Sequence, residues 1–238
     1  MTVNSEPGLN FREWSHAIRS AGTELLRVLE ETEDHEGHFL VPYVFLRKCV
    51  RLLGAVDELI DSGFEEEAQI LARVLVETRI DFEYFLLLAK ETPEWALARV
   101  IDAKMLEKLK VLKAVDFNFG DAEINREKWQ QIEEEIRGRH TDGEIEELRR
   151  HGFSGMPLEA RAVKTGNKKL YDLAYRLYSG HTHATEIHEH LRWRLVPEFA
   201  PELEKTLLPA VQGIVCDCVA TVVRECNRWA GNPLGISD

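Results

Sequence analysis

The sequence predicts an all-α protein, a single-domain multi-helix bundle of long amphipathic helices. Apolar residues recur at helical spacing along most of the 238 residues, and no segment alternates as a strand would. Glycine and proline stand at the ends of the periodic segments and do not cluster into a linker. A chain of this length can bury a sizeable core. Residues 1–238 are therefore expected to form one domain.

Four long helices are predicted in the first half of the chain. The first has Asn10 as its N-cap, and the second begins near Pro42, a favoured first-turn residue. The third helix is apolar over a wide arc, which is typical of a helix buried at the centre of a bundle. The fourth begins at Thr92-Pro93. The four are expected over about 11–31, 42–62, 65–90 and 93–117.

The second half begins with a strongly acidic segment, residues 121–151, that is poor in apolar side chains. It is predicted to form two helices separated at Thr141-Asp142-Gly143. Because it offers little to a core, this acidic helical arm is expected to project or to pack on a protein partner. A short helix is expected from Pro157, and a last helix over about 202–230.

The charge distribution restricts the partners. A net charge of −12 argues against general coating of nucleic acids and against binding to an anionic membrane surface. Residues 149–194, however, hold nine lysines and arginines against four acids, a basic island that could hold a phosphate. The same pattern also fits a surface that merely alternates in sign. Its candidate phosphate-binding residues are Lys164, Lys168 and Lys169.

The cysteines and the most apolar segment indicate a cytoplasmic protein with no membrane span. Each of the four cysteines lies in an apolar helical run, which is typical of buried free thiols in a reducing compartment. The most apolar run, residues 207–223, is interrupted by Pro209, Gln212 and Asp217, so it is expected to be a core helix. No cofactor motif is present, and no cofactor is expected.

The candidate catalytic segment is the stretch 168–194. Leu170, Leu173 and Leu177 predict a helix over about 168–179, which Gly180 would end. Arg176 then lies in the last turn and His181 just beyond it. A guanidinium matches phosphate oxygens, and an imidazole can take or give a proton near neutral pH. This pair suits RNA cleavage by 2′-hydroxyl attack, with the histidine as acid or base and the arginine stabilising the phosphorane, without a metal.

Two other interpretations of this segment stay open. An arginine in a last turn complements the helix dipole in any protein, and a histidine after a glycine turn is often a surface residue. Histidines 181, 183, 188 and 190 could also suggest a metal site. No two of them have the i, i+4 spacing that places ligands on one helix face, so no metal is predicted there.

A polar ladder runs down one side of the third helix. Arg73, Glu77 and Asp81 lie at i, i+4 and i+8. They could form an ordinary exposed ion-pair stripe, in which each pair contributes tenths of a kcal/mol. They could instead line a cleft as partly buried groups that support the catalytic segment.

The motifs resemble an uncharacterised bacterial helical family of the domain-of-unknown-function type (DUF5677-like). Its members carry an R-x-x-x-E helix and a later Y-x-x-x-Y-x-x-x-S-x-x-x-H segment, and the resemblance covers about residues 41–194. It implies supporting roles for the first four matching positions and catalytic roles for the last two. These positions are Arg73, Glu77, Tyr171, Tyr175, Ser179 and His183.

The Arg-x4-His spacing also resembles the HEPN superfamily. That resemblance implies a helical, usually dimeric protein, in a group that includes metal-independent ribonucleases of toxin and antiviral defence systems and domains that only bind partners. Leu177 follows Arg176 where those ribonucleases often have Asn, Asp or His. The two resemblances nominate different histidines, His181 and His183.

The expected function is therefore that of a HEPN-like helical protein, a metal-independent endoribonuclease that acts on RNA as a homodimer. The alternative is a non-catalytic interaction or ligand-binding bundle, which would need only the helices and the acidic arm. A metal-dependent helical hydrolase is the third hypothesis.

Overall fold

The structure, a computed structural model, describes residues 10–32, 37, 39–119, 126–175 and 200–235. Within these ranges the chain is helical apart from short turns, and no strand occurs, which confirms the all-α fold class. A 3₁₀ turn, Gly152–Ser154, follows the sixth helix. The helices are α1 Phe11–Glu31, α2 Leu40–Asp61, α3 Glu65–Glu91, α4 Pro93–Phe119, α5 Arg126–Arg139, α6 Asp142–His151, α7 Leu158–Lys164, α8 Lys168–Leu170 and α9 Ala200–Trp229.

Two helix starts follow directly from local capping chemistry. The Asn10 side chain accepts a hydrogen bond from the Arg12 backbone N–H at 3.1 Å, as predicted. At α6, Thr141 and Glu144 form a capping box. The Glu144 N–H donates to Thr141 Oγ1 at 3.3 Å, and Glu144 Oε2 accepts from the Thr141 N–H at 2.9 Å. The predicted break of the acidic segment is thus confirmed at Thr141.

The chain divides into two compact units. The first comprises the residues up to Phe82 together with those from Asn167 onward, and the second is Glu83–Gly166. The boundary falls within α3, between Phe82 and Glu83. The expectation of a single domain stays a prediction.

In the first unit, α3 up to Phe82 contributes a buried face to the core. Leu75, Val76, Ile80 and Phe82 are fully buried, which confirms the prediction that the third helix is buried. The Phe45 and Phe82 rings pack with centroids 5.4 Å apart, so α2 lies against α3. Helices α1, α2 and α9 pack on one another around the rest of this core.

Polar contacts also join these helices. Ser15, on the buried face of α1, donates to both oxygens of Asp57 on α2, at 2.8 and 2.6 Å. Arg19 Nη1 lies 3.1 Å from the same carboxylate. Arg79 on α3 pairs with Asp217 on α9. A buried serine on an amphipathic helix is stable because its hydroxyl is fully hydrogen-bonded.

In the second unit, α5 and α6 pack on α4. Ile136, Ile145 and Leu148 are almost completely buried and form one apolar cluster with Ala103 and Leu106. Residues 126–151 therefore bury their apolar side chains within the chain, and the expectation that the acidic arm projects or packs on a protein partner stays a prediction. The few apolar side chains of α5 and α6 all share one face, and α4 covers it.

The four cysteines, Cys49, Cys216, Cys218 and Cys226, are free and buried, as predicted. Burial raises the pKa of Cys49 and of Cys216 to about 12, and that of Cys226 well above its usual value. These thiols stay protonated near neutral pH and serve as small apolar core groups. Within the described helices, none combines the length and apolar character that crossing a membrane requires.

Gly22 on α1 is predicted to resist substitution by alanine. A Cβ there would lie 2.5 Å from Val50 Cγ2 and 3.4 Å from Val223 Cγ2, whereas a Cβ on Gly213 of α9 meets nothing within 4 Å. Both substitutions gain about 0.5–1 kcal/mol of helix propensity. Gly22→Ala also overpacks the core, which typically costs about 1–3 kcal/mol. Gly213→Ala should therefore raise, and Gly22→Ala lower, the free energy of unfolding measured in urea. Equal effects of the two changes would contradict the close packing of α1, α2 and α9.

Candidate functional site

The predicted catalytic residues Arg176, Ser179, His181 and His183 lie outside the residues that the structure describes. So does the rest of the histidine cluster. The description includes the backbone of Tyr175 and resumes at Ala200. The geometry of the site can therefore be followed only up to the residue before Arg176.

The segment leading to Arg176 is not the regular α-helix that the sequence predicts. Lys168–Leu170 is one α-helical turn, and Tyr171–Tyr175 is a π-helix. A π segment widens the helix by one residue per turn and rotates the side chains that follow it, and such segments are often found at functional sites. This π segment directly precedes Arg176 in the sequence.

The two described lysines of this segment differ in their surroundings. Lys168 Nζ contacts the carboxylate of Asp172 and lies 5.6 Å from the centroid of the Tyr171 ring. Its charge is partly balanced by Asp172, whereas Lys169 is exposed. Lys169 is thus the better placed of the two to meet a phosphate from solution. Lys164, the third candidate, belongs to the second unit.

The polar ladder of α3 is partly buried. Arg73 Nε donates to Glu77 Oε1 at 3.0 Å, and the two side chains are only 14% and 35% exposed. Asp81 is half-buried. An ordinary surface stripe would leave such groups in water. The geometry therefore favours the interpretation in which the ladder lines a protected part of the first unit, and its role in function stays a prediction.

The second unit contains a buried polar cluster that the sequence analysis missed. The Asp102 side chain is 2% exposed and accepts from Arg139 Nε at 3.1 Å and Nη2 at 2.7 Å. Its Oδ2 also lies 2.8 Å from His140 Nε2, whose side chain is 3% exposed. The buried carboxylate thus has an arginine fork and an imidazole as partners.

Arg99 lies one turn before Asp102 on α4, with a side chain only 6% exposed. Its Nε donates to the Phe153 carbonyl at 2.9 Å, and its guanidinium stacks on the Trp95 ring at 4.6 Å. The signal for both residues was available in the sequence. Ala96, Ala103 and Leu106 share their helix face, and all three are buried with them.

The fold and these sites define an all-α, multi-helix bundle with partly buried polar groups in both units. A family model described as "Family of unknown function (DUF5677)" matches residues 39–194, and the chain belongs to that family. The match confirms the resemblance to a family of unknown function and includes both the α3 ladder and the segment 168–194. No curated protein and no solved structure matches the chain.

Removal of the Asp102 carboxylate should strongly destabilise the second unit. Asp102→Ala leaves the buried His140 and the half-exposed Arg139 without their acceptor. We therefore expect a loss of about 2–3 kcal/mol in the free energy of unfolding. This is below the 3–5 kcal/mol typical of a broken buried ion pair, because Arg139 is 48% exposed and can turn to solvent. Urea unfolding measures the loss. Glu146→Ala is the control, since its pair with Arg150 is exposed and worth at most about 1 kcal/mol.

Glu77→Ala tests the burial of the α3 ladder. The change removes one partner of a guanidinium that is mostly out of water, so we expect a loss of about 1–2 kcal/mol in the free energy of unfolding. Glu107→Ala is the matched control because its pair with Lys104 is exposed. If both variants lose the same few tenths of a kcal/mol, the ladder is an ordinary surface stripe.

Proposed function

We propose that the protein is a HEPN-like, metal-independent endoribonuclease of the toxin or antiviral-defence type, acting on RNA in the cytoplasm. Arg176 stabilises charge on the pentacoordinate phosphorus, and His181 transfers protons to or from the ribose oxygens. Ser179 and His183 are the neighbouring candidates for the same chemistry. Lys168 and Lys169 hold the RNA phosphates, and Tyr171 and Tyr175 support the segment.

The observation that carries this proposal is the position of the Arg-x4-His pair. It directly follows a π segment, Tyr171–Tyr175, and it lies inside the stretch matched by the family model. A chance Arg-x4-His pair would not be expected directly after a π segment or inside the stretch that the family model matches. The all-α fold and the partly buried Arg73–Glu77 pair in the same unit as Lys168–Tyr175 agree with a helical protein that builds a polar site.

The site is proposed to be completed by a second copy of the chain. One Arg176–His181 pair offers few groups to hold RNA, and a two-fold axis would place two pairs together. If the composite site needs an arginine from one subunit and a histidine from the other, mixed Arg176→Ala and His181→Ala subunits should regain part of the activity that each variant lacks alone.

The cleavage experiment uses the full chain, total RNA and EDTA. The reaction should survive the chelator, spare DNA and leave 2′,3′-cyclic phosphate ends. Arg176→Ala and His181→Ala should each lower the rate by about 10²–10⁴-fold. His183→Ala decides between the two nominated histidines. A large loss there, with a mild effect of His181→Ala, would move the proton-transfer role to the Ser179–His183 pair.

Two exposed residues serve as matched controls. His16→Ala on α1 and Arg150→Ala on α6 remove the same kinds of side chain from exposed positions and should leave the rate unchanged. If all three motif variants cleave as fast as the wild type, the proposed chemistry is wrong. A wild type that cleaves no RNA would favour the non-catalytic binding bundle instead.

A further inference from the structure

We propose that the second unit carries a binding site for a small oxyanion of the phosphate type, formed by Arg99, Tyr84 and Lys164 beside the turn 152–155. The site lies in helices that the proposed RNA chemistry does not use. It therefore goes beyond the proposed function, and its experiment does not depend on RNA cleavage.

The first observation is that Arg99 is buried with spare hydrogen-bond donors. Its side chain is 6% exposed, and its Nε–H alone donates to a described acceptor, the Phe153 carbonyl. An ion-pair contact of 4.0 Å joins Nη1 to Glu144 Oε1, a distance too long for a hydrogen bond. Among the described residues, the Nη donors thus have no acceptor at hydrogen-bond distance. Buried donors normally have one, and for a guanidinium a bidentate oxyanion fits best.

Glu144 cannot easily move closer to neutralise Arg99. Its other oxygen, Oε2, accepts from the backbone N–H and the hydroxyl of Thr141 at 2.9 and 2.8 Å. Moving the carboxylate toward Arg99 would break the capping box at the start of α6. The fold therefore holds Arg99 Nη1 and Glu144 Oε1 4.0 Å apart. The Nη groups of Arg99 remain open to another anion.

The second observation is that Tyr84 lies near Arg99 with its hydroxyl unused. The residue is 5% exposed, and its ring packs against Phe153 at 6.3 Å, yet its hydroxyl makes no hydrogen bond to any residue in the described ranges. Burial raises the pKa of Tyr84, while the charges of Arg99 and Arg161 act to lower it. The hydroxyl is thus protonated near neutral pH, a donor close to two guanidinium groups.

Lys164 brings a further positive charge beside the Tyr84 ring. Its Nζ lies 5.9 Å from the centroid of the Tyr84 ring, and the residue is exposed. Arg161, one turn earlier on α7, donates to Ser154 Oγ at 2.7 Å and to the Met156 carbonyl at 2.6 Å, so it fixes the turn to which Arg99 also binds. An exposed ammonium beside buried donors is suited to draw in an anion from solution.

The turn itself leaves room for the Arg99 guanidinium. Gly155 has φ +64°, and a Cβ there would lie 2.8 Å from Arg99 Nη2 and 3.2 Å from Glu147 Oε2. Only glycine suits both the backbone conformation and the close approach. Glu144 and Glu147 are the carboxylates beside this site, and their charges should weaken binding of an anion. Removing one of these negative charges should strengthen anion binding, so the experiment includes a variant with the opposite effect on affinity.

The experiment titrates the full chain with inorganic phosphate, and separately with a nucleoside monophosphate, by calorimetry at low ionic strength. One site per chain is expected. Lys164→Gln and Tyr84→Phe, which keep the fold because one is exposed and the other retains its ring, should each weaken binding by about tenfold. Glu144→Gln should tighten it by several-fold, since glutamine preserves the capping box and removes the opposing charge. Tighter binding of the nucleotide than of phosphate would assign the site to phosphate esters.

Lys110→Gln is the matched control, because Lys110 is an exposed lysine of the same unit, on α4. It should leave the affinity unchanged. An equal loss in Lys110→Gln and Lys164→Gln would show general charge attraction and overturn the site. Absence of binding by the wild type at millimolar phosphate, or no gain in Glu144→Gln, would equally overturn it. Circular dichroism of each variant separates loss of binding from loss of fold.

Discussion

The second unit depends on the compensation of one buried charge, the carboxylate of Asp102. Burial of an ion costs several kcal/mol unless partners repay it, and the partners of Asp102 come from the end of α5, at Arg139 and His140. The carboxylate on α4 thereby fixes where α5 must end. The capping box at Thr141 then starts α6 at once, so that Ile145 and Leu148 meet the apolar face of α4. The contacts of one carboxylate thus join α4 to the end of α5, next to the residue that begins α6.

Arg99 lies on the same face of α4 as Asp102, but the two buried charges have different kinds of partner. Asp102 receives close partners, whereas Arg99 has a carbonyl, an aromatic ring and a carboxylate held 4.0 Å away. Desolvation penalises both ions, so the incomplete pairing of Arg99 is the less stable arrangement of the two. Under-paired buried cations persist where the fold or a ligand gains from them. The turn 152–155 gains a fixed position from Arg99, and an oxyanion would supply the missing acceptors.

Helix boundaries were predictable from sequence because their causes are local. Asn10 and Thr141 cap the helices that follow them; Asn10 was predicted as a cap, and Thr141 as the start of a break between two helices. The buried polar residues were not predicted, because charge normally indicates exposure and only three-dimensional partners overturn that rule. Ser15 faces the core because Asp57 lies opposite it on α2. The π segment Tyr171–Tyr175 was not predicted either, because the apolar residues of the sequence keep the same helical spacing before and after it.

The order of the two units along the chain relates the sites to one another. The chain leaves the first unit within α3, just after Phe82, and returns to it at Asn167. The α3 ladder lies shortly before the departure and the segment Lys168–Tyr175 directly after the return. Two stretches far apart in sequence therefore belong to one unit, and each carries part of the motif pattern that the family resemblance joins. The second unit lies between them in the sequence, and its own helices supply the partners of Asp102. A function built from both stretches requires that the intervening residues fold without disturbing α3, because that helix continues from the first unit into the second.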